Sequence, residues 1–176
     1  MINEQPLNEA QQALLSIWQQ HQYCEFVLKD VEATLATMTE NPHILLAPVG
    51  TGGVGPEGVR HFYAHQFIPQ LPPDMEAISL SMTVGQNRLV EESVVRFTHN
   101  QPMEWLLPNI PPTGVQIEMV LIGIIGIEDG KIAYEHLYWD HAAVLAQLGL
   151  LADDEITLAG LDSPRRLLAL CSPALV

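Results

Sequence analysis

Residues Val115 to Asp140 constrain the fold of this chain more than any other stretch. Gln116 to Ile127 is apolar at nearly every position, Glu128-Asp129-Gly130-Lys131 is a tight turn, and Ile132 to Asp140 is rich in aromatic residues that favour strands. Two strands joined by so short a turn form an antiparallel hairpin. A strand with so few polar positions is covered on both faces. The first strand therefore belongs at the centre of a sheet, with helices on one side and a second surface, such as a partner subunit, on the other. The second strand differs: it carries a histidine, two carboxylates and three large aromatic rings in nine residues. Such groups are costly to bury without partners, which makes this strand the place to look for chemistry.

The rest of the chain arranges itself around that hairpin. Leu7, Ala10, Leu14, Ile17 and Trp18 recur at helical spacing, and Tyr23, Val27, Val31 and Leu35 continue the stripe. Asp30 breaks this span and caps a second helical piece, and Asn41-Pro42 ends the helical pattern. His43 to Val49 reads as a short strand and Gly50 to Gly55 as a flexible glycine loop. Pro56 opens a helix reaching about Phe67. Beyond Pro69, Pro72 and Pro73, strands are expected over Met75–Val84, Arg88–His99, Val115–Ile127 and Ile132–Asp140, with turns at Gly85-Gln86-Asn87 and Glu128-Asp129-Gly130. Leu107 to Gly114, with three prolines, is a long loop. The apolar segment Met103 to Pro108 fits a lid over a pocket or a dimer contact equally well. Ala142 to Leu148 is a short helix, and Ser163-Pro164 starts a last one. Helices first and four consecutive antiparallel strands after them define an α+β fold, with helices covering one face of a curved sheet. Residues 1–152 form a single domain, and residues 153–176 form a tail whose helix packs on that domain or on a partner.

Charge narrows the partners. Seven Lys and Arg stand against 21 Asp and Glu, a net charge of −14, which disfavours nucleic acid and anionic membrane surfaces. Charged residues are 16% of the chain, against roughly a quarter in ordinary domains, which suggests surface hidden in a subunit interface or pocket. Cys24 and Cys171 form no CxxC pair and fit free thiols in a reducing compartment. Met1 to Pro6 lacks the basic and apolar regions of a signal peptide. A cytoplasmic location is expected, with no membrane span.

The order of these elements, with Gly130-Lys131-Ile132, Trp139-Asp140 and Gln147-Leu148-Gly149, resembles the nuclear transport factor 2-like superfamily, and in it the SnoaL-like branch that includes polyketide cyclases. The Lys29-Asp30 helix break and the Gly55-Pro56-Glu57-Gly58-Val59-Arg60-x-Phe62-Tyr63 helix start fit it too, so the resemblance covers roughly Gln20 to Leu151. It implies a cone-shaped α+β barrel in which a curved, mainly antiparallel sheet wraps around N-terminal helices, a deep apolar pocket and a homodimer packed sheet to sheet. The superfamily holds isomerases, cyclases, hydrolases, dehydratases and proteins that only bind. Several SnoaL-like enzymes use an aspartate near the end of this last strand as acid/base, and Asp140 is the matching position.

Strand alternation places Ile132, Tyr134, His136, Tyr138 and Asp140 on one face, and Ala133, Glu135, Leu137 and Trp139 on the other. The first set has the makings of a pocket wall. Asp140 would be a general base raised in pKa by apolar surroundings, His136 its support, and Tyr138 a donor to a developing oxyanion. Asp140 is equally suited to cap the helix starting near His141, with His136 structural. The remaining pocket candidates are Tyr134, Trp18, Tyr23, Phe26, Phe62 and Trp105. His61 and His65 are four apart but lie off the apolar stripe and lack the HExxH glutamate, so no metal site is expected. Gly50-Thr51-Gly52-Gly53-Val54-Gly55 spells GxGxxG, yet its helix starts after the last glycine rather than inside the motif, which argues against a dinucleotide. The expectation is a cofactor-independent cyclase, isomerase or hydrolase acting on a small apolar carbonyl or ester compound. The alternative is a non-catalytic ligand-binding or accessory protein of the same fold.

Overall fold

The computed structural model describes residues 6–151 and 161–171. The readings of the chain start up to Gln5, and of the tail at 152–160 and 172–176, lie outside the described residues. Asn8 opens helix α1 (Glu9–Gln22) with a reciprocal capping box to Gln11. The helix runs on into a wide, π-type segment, Tyr23–Leu28, and stops at Lys29, whose φ of 53° turns the chain out of the helix. Asp30 then caps α2 (Val31–Ala36) by accepting from the Ala33 N–H at 3.0 Å. Helix α3 (Gly55–His61) repeats the pattern and passes into a second π-type segment, Phe62–Phe67.

Six strands form one curved sheet that is not closed. They are β1 (Met38–Leu46), β2 (Thr51–Val54), β3 (Glu76–Val84), β4 (Arg88–Thr98), β5 (Gln116–Glu128) and β6 (Lys131–Trp139). Their order is β2-β1-β6-β5-β4-β3. The run β3 to β6 is antiparallel throughout, β1 joins β6 in parallel, and β2 folds back on β1. This is the α+β fold expected from the order of elements and the cone that the resemblance implies, with the N-terminal helices held by the curve of the sheet.

Three local features differ from the sequence reading. First, β1 begins at Met38, so Asn41-Pro42 sits inside a strand. The β1–β6 register shifts between Met38 and His43, and a proline with no N–H to donate is accommodated at that interruption. Second, the glycine run is a strand rather than a flexible loop. A Cβ on Gly52 would lie 2.1 Å from the Ile44 oxygen, and one on Gly53 2.3 Å from the Gly58 oxygen. These glycines let β2 approach β1 and the backbone of α3 closely, a packing role rather than a phosphate-binding one.

Third, β6 contains a bulge. Ile127 pairs with Ile132 but Gly126 pairs with Tyr134, so Ala133 has no partner on β5. An extra residue reverses the facing of everything after it. Ile132 is buried in the core, yet Glu135 and Trp139, not Tyr134 and Tyr138, are the buried residues farther on. Tyr134 lies over Gly126, where an added Cβ would meet its ring at 2.0 Å.

The concave side of the sheet is filled from both ends. Met103, Trp105, Leu106 and Leu107, left as lid or dimer contact by the sequence, are buried members of the core. Asp140 caps α4 (His141–Gln147). The Gln147 amide then grips β5, donating to the Glu118 oxygen at 2.9 Å and accepting from its N–H at 3.0 Å. Arg165, on α5 (Ser163–Cys171), donates to the Glu118 carboxylate at 2.8 Å. Among the described residues no helix is long and apolar enough to cross a membrane.

The two facing glycines separate steric from intrinsic effects. Gly53→Ala forces Cβ into the α3 backbone and is expected to cost more than about 2 kcal/mol. In Gly58→Ala the nearest atom to the new Cβ is at 3.5 Å, and helix propensity favours alanine by up to about 1 kcal/mol. Urea denaturation of both variants checks the opposite signs.

Candidate functional site

A cavity of about 480 Å³ lies between the helices and the concave face of β1 and β3 to β6. Among the described residues that line it, eight are aromatic, three are glutamates and none is Lys or Arg. Both π-type segments border it: Tyr23, Glu25, Phe26 and Val27 from the first, and Phe62, Tyr63 and Phe67 from the second. Widened turns of this kind recur at functional sites because they displace side chains from the regular helical spacing. Tyr23, Phe26 and Val27 are exposed and Ala77 and Ser79 on β3 are open to solvent, so these lining residues mark the solvent-facing side of the cavity.

At its inner end four polar side chains from three parts of the chain converge. His21 comes from α1, Glu25 from the π-type segment that follows, Tyr63 from the second such segment and Glu135 from β6. All four are less than 5% exposed. His21 Nε2 lies 3.1 Å from Glu25 Oε1, 3.0 Å from Glu135 Oε1 and 3.0 Å from the Tyr63 hydroxyl. The Tyr63 hydroxyl donates to Glu135 Oε1 at 2.9 Å. On the other side of the ring, Nδ1 lies 2.5 Å from Thr37 Oγ1, and that hydroxyl donates its proton to the Thr34 oxygen at 2.6 Å. Thr37 can therefore only accept from the ring. Nδ1 carries a proton, and Nε2 is the nitrogen presented to the carboxylates.

The electrostatics follow from this packing. Burial lowers the His21 pKa, but Glu25 and Glu135 more than reverse that, and the imidazole is pushed up to about 10. Burial raises the Glu25 carboxyl, opposed by His21 and helped by Glu135. Burial and both carboxylates push the Tyr63 phenol well above its usual value, so it keeps its proton. The arrangement holds an imidazolium, a carboxyl raised towards its neutral form and a phenol on one small surface. A carboxyl raised by burial and a second carboxyl beside the same cavity are the ingredients of paired acid and base chemistry. His21 Nε2, Glu25 Oε1 and Glu135 Oε1 are also the donor atoms here that could hold a metal, lying within 4.8 Å of one another. Each of them already has a hydrogen-bond partner in the protein.

The sequence-named residues separate into two groups. Trp18, Tyr23, Phe26, Phe62 and Trp105 line the cavity. Asp140, His136, Tyr138 and Tyr134 do not, because the bulge at Ala133 turns the other face of β6, Glu135, Leu137 and Trp139, to the interior. Asp140 is exposed and accepts from the Ala143 N–H at 3.0 Å as the cap of α4. His136 lies on the outer face with its Nε2 3.0 Å from that of His43 and its ring stacked on Tyr134. Burial, His43 and Arg88 lower its pKa. The His61 and His65 rings lie side by side and tilted by 51°, with centroids 4.8 Å apart.

Sequence reasoning passed over His21, Glu25, Tyr63 and Glu135 as chemical groups. One signal was present. Leu14, Trp18, His21 and Glu25 follow a 4-3-4 spacing, so a histidine and a glutamate continue the buried stripe of α1 into the π-type segment, where polar groups require partners.

A second polar point sits on β4. Glu91 Oε2 accepts from Trp18 Nε1 at 2.9 Å and from Gln22 Nε2 at 3.3 Å. Trp18 also stacks on the His21 ring at 5.7 Å, so one indole joins the two polar regions.

A model of the SnoaL-like domain matches residues 20–135. Among solved structures, a candidate SnoaL-like polyketide cyclase from Jannaschia sp. CCS1 superposes with a TM-score of 0.69 at 16% identity, covering 85% of this chain and 100% of that one. TsrD from Streptomyces laurentii gives 0.62 at 20% identity, covering 83% and 100%. A protein with a ketosteroid isomerase-like fold from Catenulispora acidiphila, solved with trimethylamine, gives 0.57 at 14% identity, covering 80% and 95%. At these identities the likeness shows the fold. No curated protein sequence matches the chain.

The buried cluster makes stability depend on pH. A histidine raised above its unfolded value contributes fully below about pH 6.5 and loses that contribution as pH climbs towards 10. The raised Glu25 acts in the same direction above its unfolded value. Unfolding free energy measured by urea titration should therefore decline from pH 7 to pH 10. The His21→Gln variant should be less stable at pH 7 and decline less across that range, with the raised Glu25 as the remaining contributor.

Proposed function

The chain belongs to the SnoaL-like domain family, and we propose that it is a cofactor-independent acid/base enzyme acting on a small, mostly apolar carbonyl or ester compound. The observation that carries this reading is the cluster of Glu135, Glu25, Tyr63 and His21 at the inner end of an aromatic cavity. Glu135, 3.0 Å from His21 Nε2, is the base and removes a proton from carbon next to the carbonyl. Tyr63 turns its hydroxyl from Glu135 to the carbonyl oxygen and steadies the charge that forms there. Glu25, raised by burial, returns a proton at a second position. The net result is an isomerisation or a ring closure, the kind of chemistry suggested by the fold's cyclase-named neighbours.

A second reading has its own support. His21 and Tyr63 are almost completely enclosed, and Glu25 and Glu135 have only small openings on the cavity. A cluster so closed suits a ligand-binding or accessory protein in which it fixes the shape of the pocket. The partner reading also belongs here. The outer sheet face, with Leu45 and Tyr138 exposed and Ile122 and Ile124 half-buried, is proposed as a homodimer surface, and the cytoplasm as the setting. Residues 1–152 would form the working unit and residues 153–176 a tail whose α5 lies on β5.

Glu135→Gln keeps size and hydrogen bonding but removes the base. With a substrate identified by screening apolar carbonyl compounds, kcat should fall by about 10²- to 10⁴-fold while ligand affinity stays within a few-fold. A change in affinity alone would establish the binding reading. Asp140→Asn, in contrast, should leave kcat intact and change the urea unfolding free energy by less than about 1 kcal/mol, since asparagine also caps helices well. Loss of turnover in that variant would return the base to Asp140.

A further inference from the structure

Two carboxylates of the cavity are answered by His21, but the third has no cation to answer it. Glu91 is half-buried on β4 among the lining residues. Its recorded partners are neutral donors, the Trp18 indole and the Gln22 amide, and both reach Oε2. Oε1 accepts from no described residue. Among the described residues no Lys, Arg or His lies within ion-pair distance of Glu91. A carboxylate inside an apolar wall without a counter-charge is costly, and the cost is relieved by a ligand that brings one. The surroundings favour such a ligand. The negative face of an aromatic ring attracts cations, and eight aromatic residues line the cavity with no Lys or Arg among them.

We propose that Glu91 and the Trp18 ring form a cation subsite, and that the cavity takes a ligand with an apolar body and a protonated amine. The ammonium donates to Glu91 Oε1 while the body fills the space between Phe62, Phe67 and Met119. Anionic ligands are excluded, because three glutamates and no basic side chain border the space they would occupy. The assignment rests on this cavity being the ligand site but not on its being catalytic.

Three probes with one body and different heads test it: 4-tert-butylbenzylamine, 4-tert-butylbenzyl alcohol and 4-tert-butylbenzoate, titrated calorimetrically into the full chain at pH 7. The ammonium should bind about tenfold or more tighter than the alcohol, and the benzoate should show no binding. Glu91→Gln, which preserves the acceptor for Trp18, should abolish the preference for the ammonium while leaving the alcohol within about threefold. Equal binding of amine and alcohol, measurable binding of the benzoate, no binding of the amine at 10 mM, or an unchanged preference in Glu91→Gln would each overturn the subsite. In Glu135→Gln the preference for the ammonium should persist. Its loss there and not in Glu91→Gln would place the cation at the inner cluster and overturn the proposal. Because these titrations read binding alone, loss of the acid/base reading through the kinetics of Glu135→Gln leaves them unaffected.

Discussion

The placement of the His21 proton governs the middle of this molecule. An imidazolium enclosed among carboxylates is tolerable only if every polar atom around it has a partner, and those partners come from distant parts of the chain. Thr37 at the start of β1 fixes one ring nitrogen, and Glu25, Glu135 and Tyr63 surround the other. The helical layer is thereby tied to the sheet at a point where apolar packing alone would allow sliding. Removing any one member leaves a buried charge without its complement, which is more destabilising than never having built the network. The cluster is thus a structural constraint before it is a chemical one, and the functional reading has to accommodate both.

The location of that cluster explains the division of labour in the cavity. Trp18 lies against His21 and donates to Glu91, so the enclosed inner end and the more open β4 wall share one rigid ring. The two π-type segments carry the rest of the helical lining. A regular helix would present residues every third or fourth position. The widened turns bring Tyr23, Phe26 and Val27 together near the solvent-facing side while Glu25 turns inward.

Much of the architecture was legible because it depends on features a sequence displays openly. Strand limits from Glu76 onward came within a residue or two, since Gly85-Gln86-Asn87 and Glu128-Asp129-Gly130 punctuate apolar runs. The Asp30 break was legible for the same kind of reason, a side chain competing for backbone N–H groups. The parallel β1–β6 pairing was not, because no local pattern specifies a partner about a hundred residues away. The facing of β6 was misread through one residue. Alternation counted from Ile132 is sound only in an unbroken ladder, and Ala133 breaks it. A bulge has no dependable sequence mark; here the one trace is Gly126, whose lack of a side chain makes room for Tyr134. His21 was hidden differently, as a polar residue in a helix described by its apolar neighbours.

That bulge sets how such a protein can diverge. Substitutions at Tyr134, His136 or Tyr138 alter an outward surface and leave the cavity as it is. Loss of the single residue Ala133 would close the bulge into a regular ladder, with Ile132 opposite Ile127 and Tyr134 opposite Gly126 as before, and would leave Glu135 and Trp139 inward. Point changes on β6 and loss of its extra residue therefore both keep a carboxylate-lined interior, whereas pairing Ala133 with Gly126 while every residue stays would slip the rest of the strand by one and turn imidazole and phenol inward in a single step.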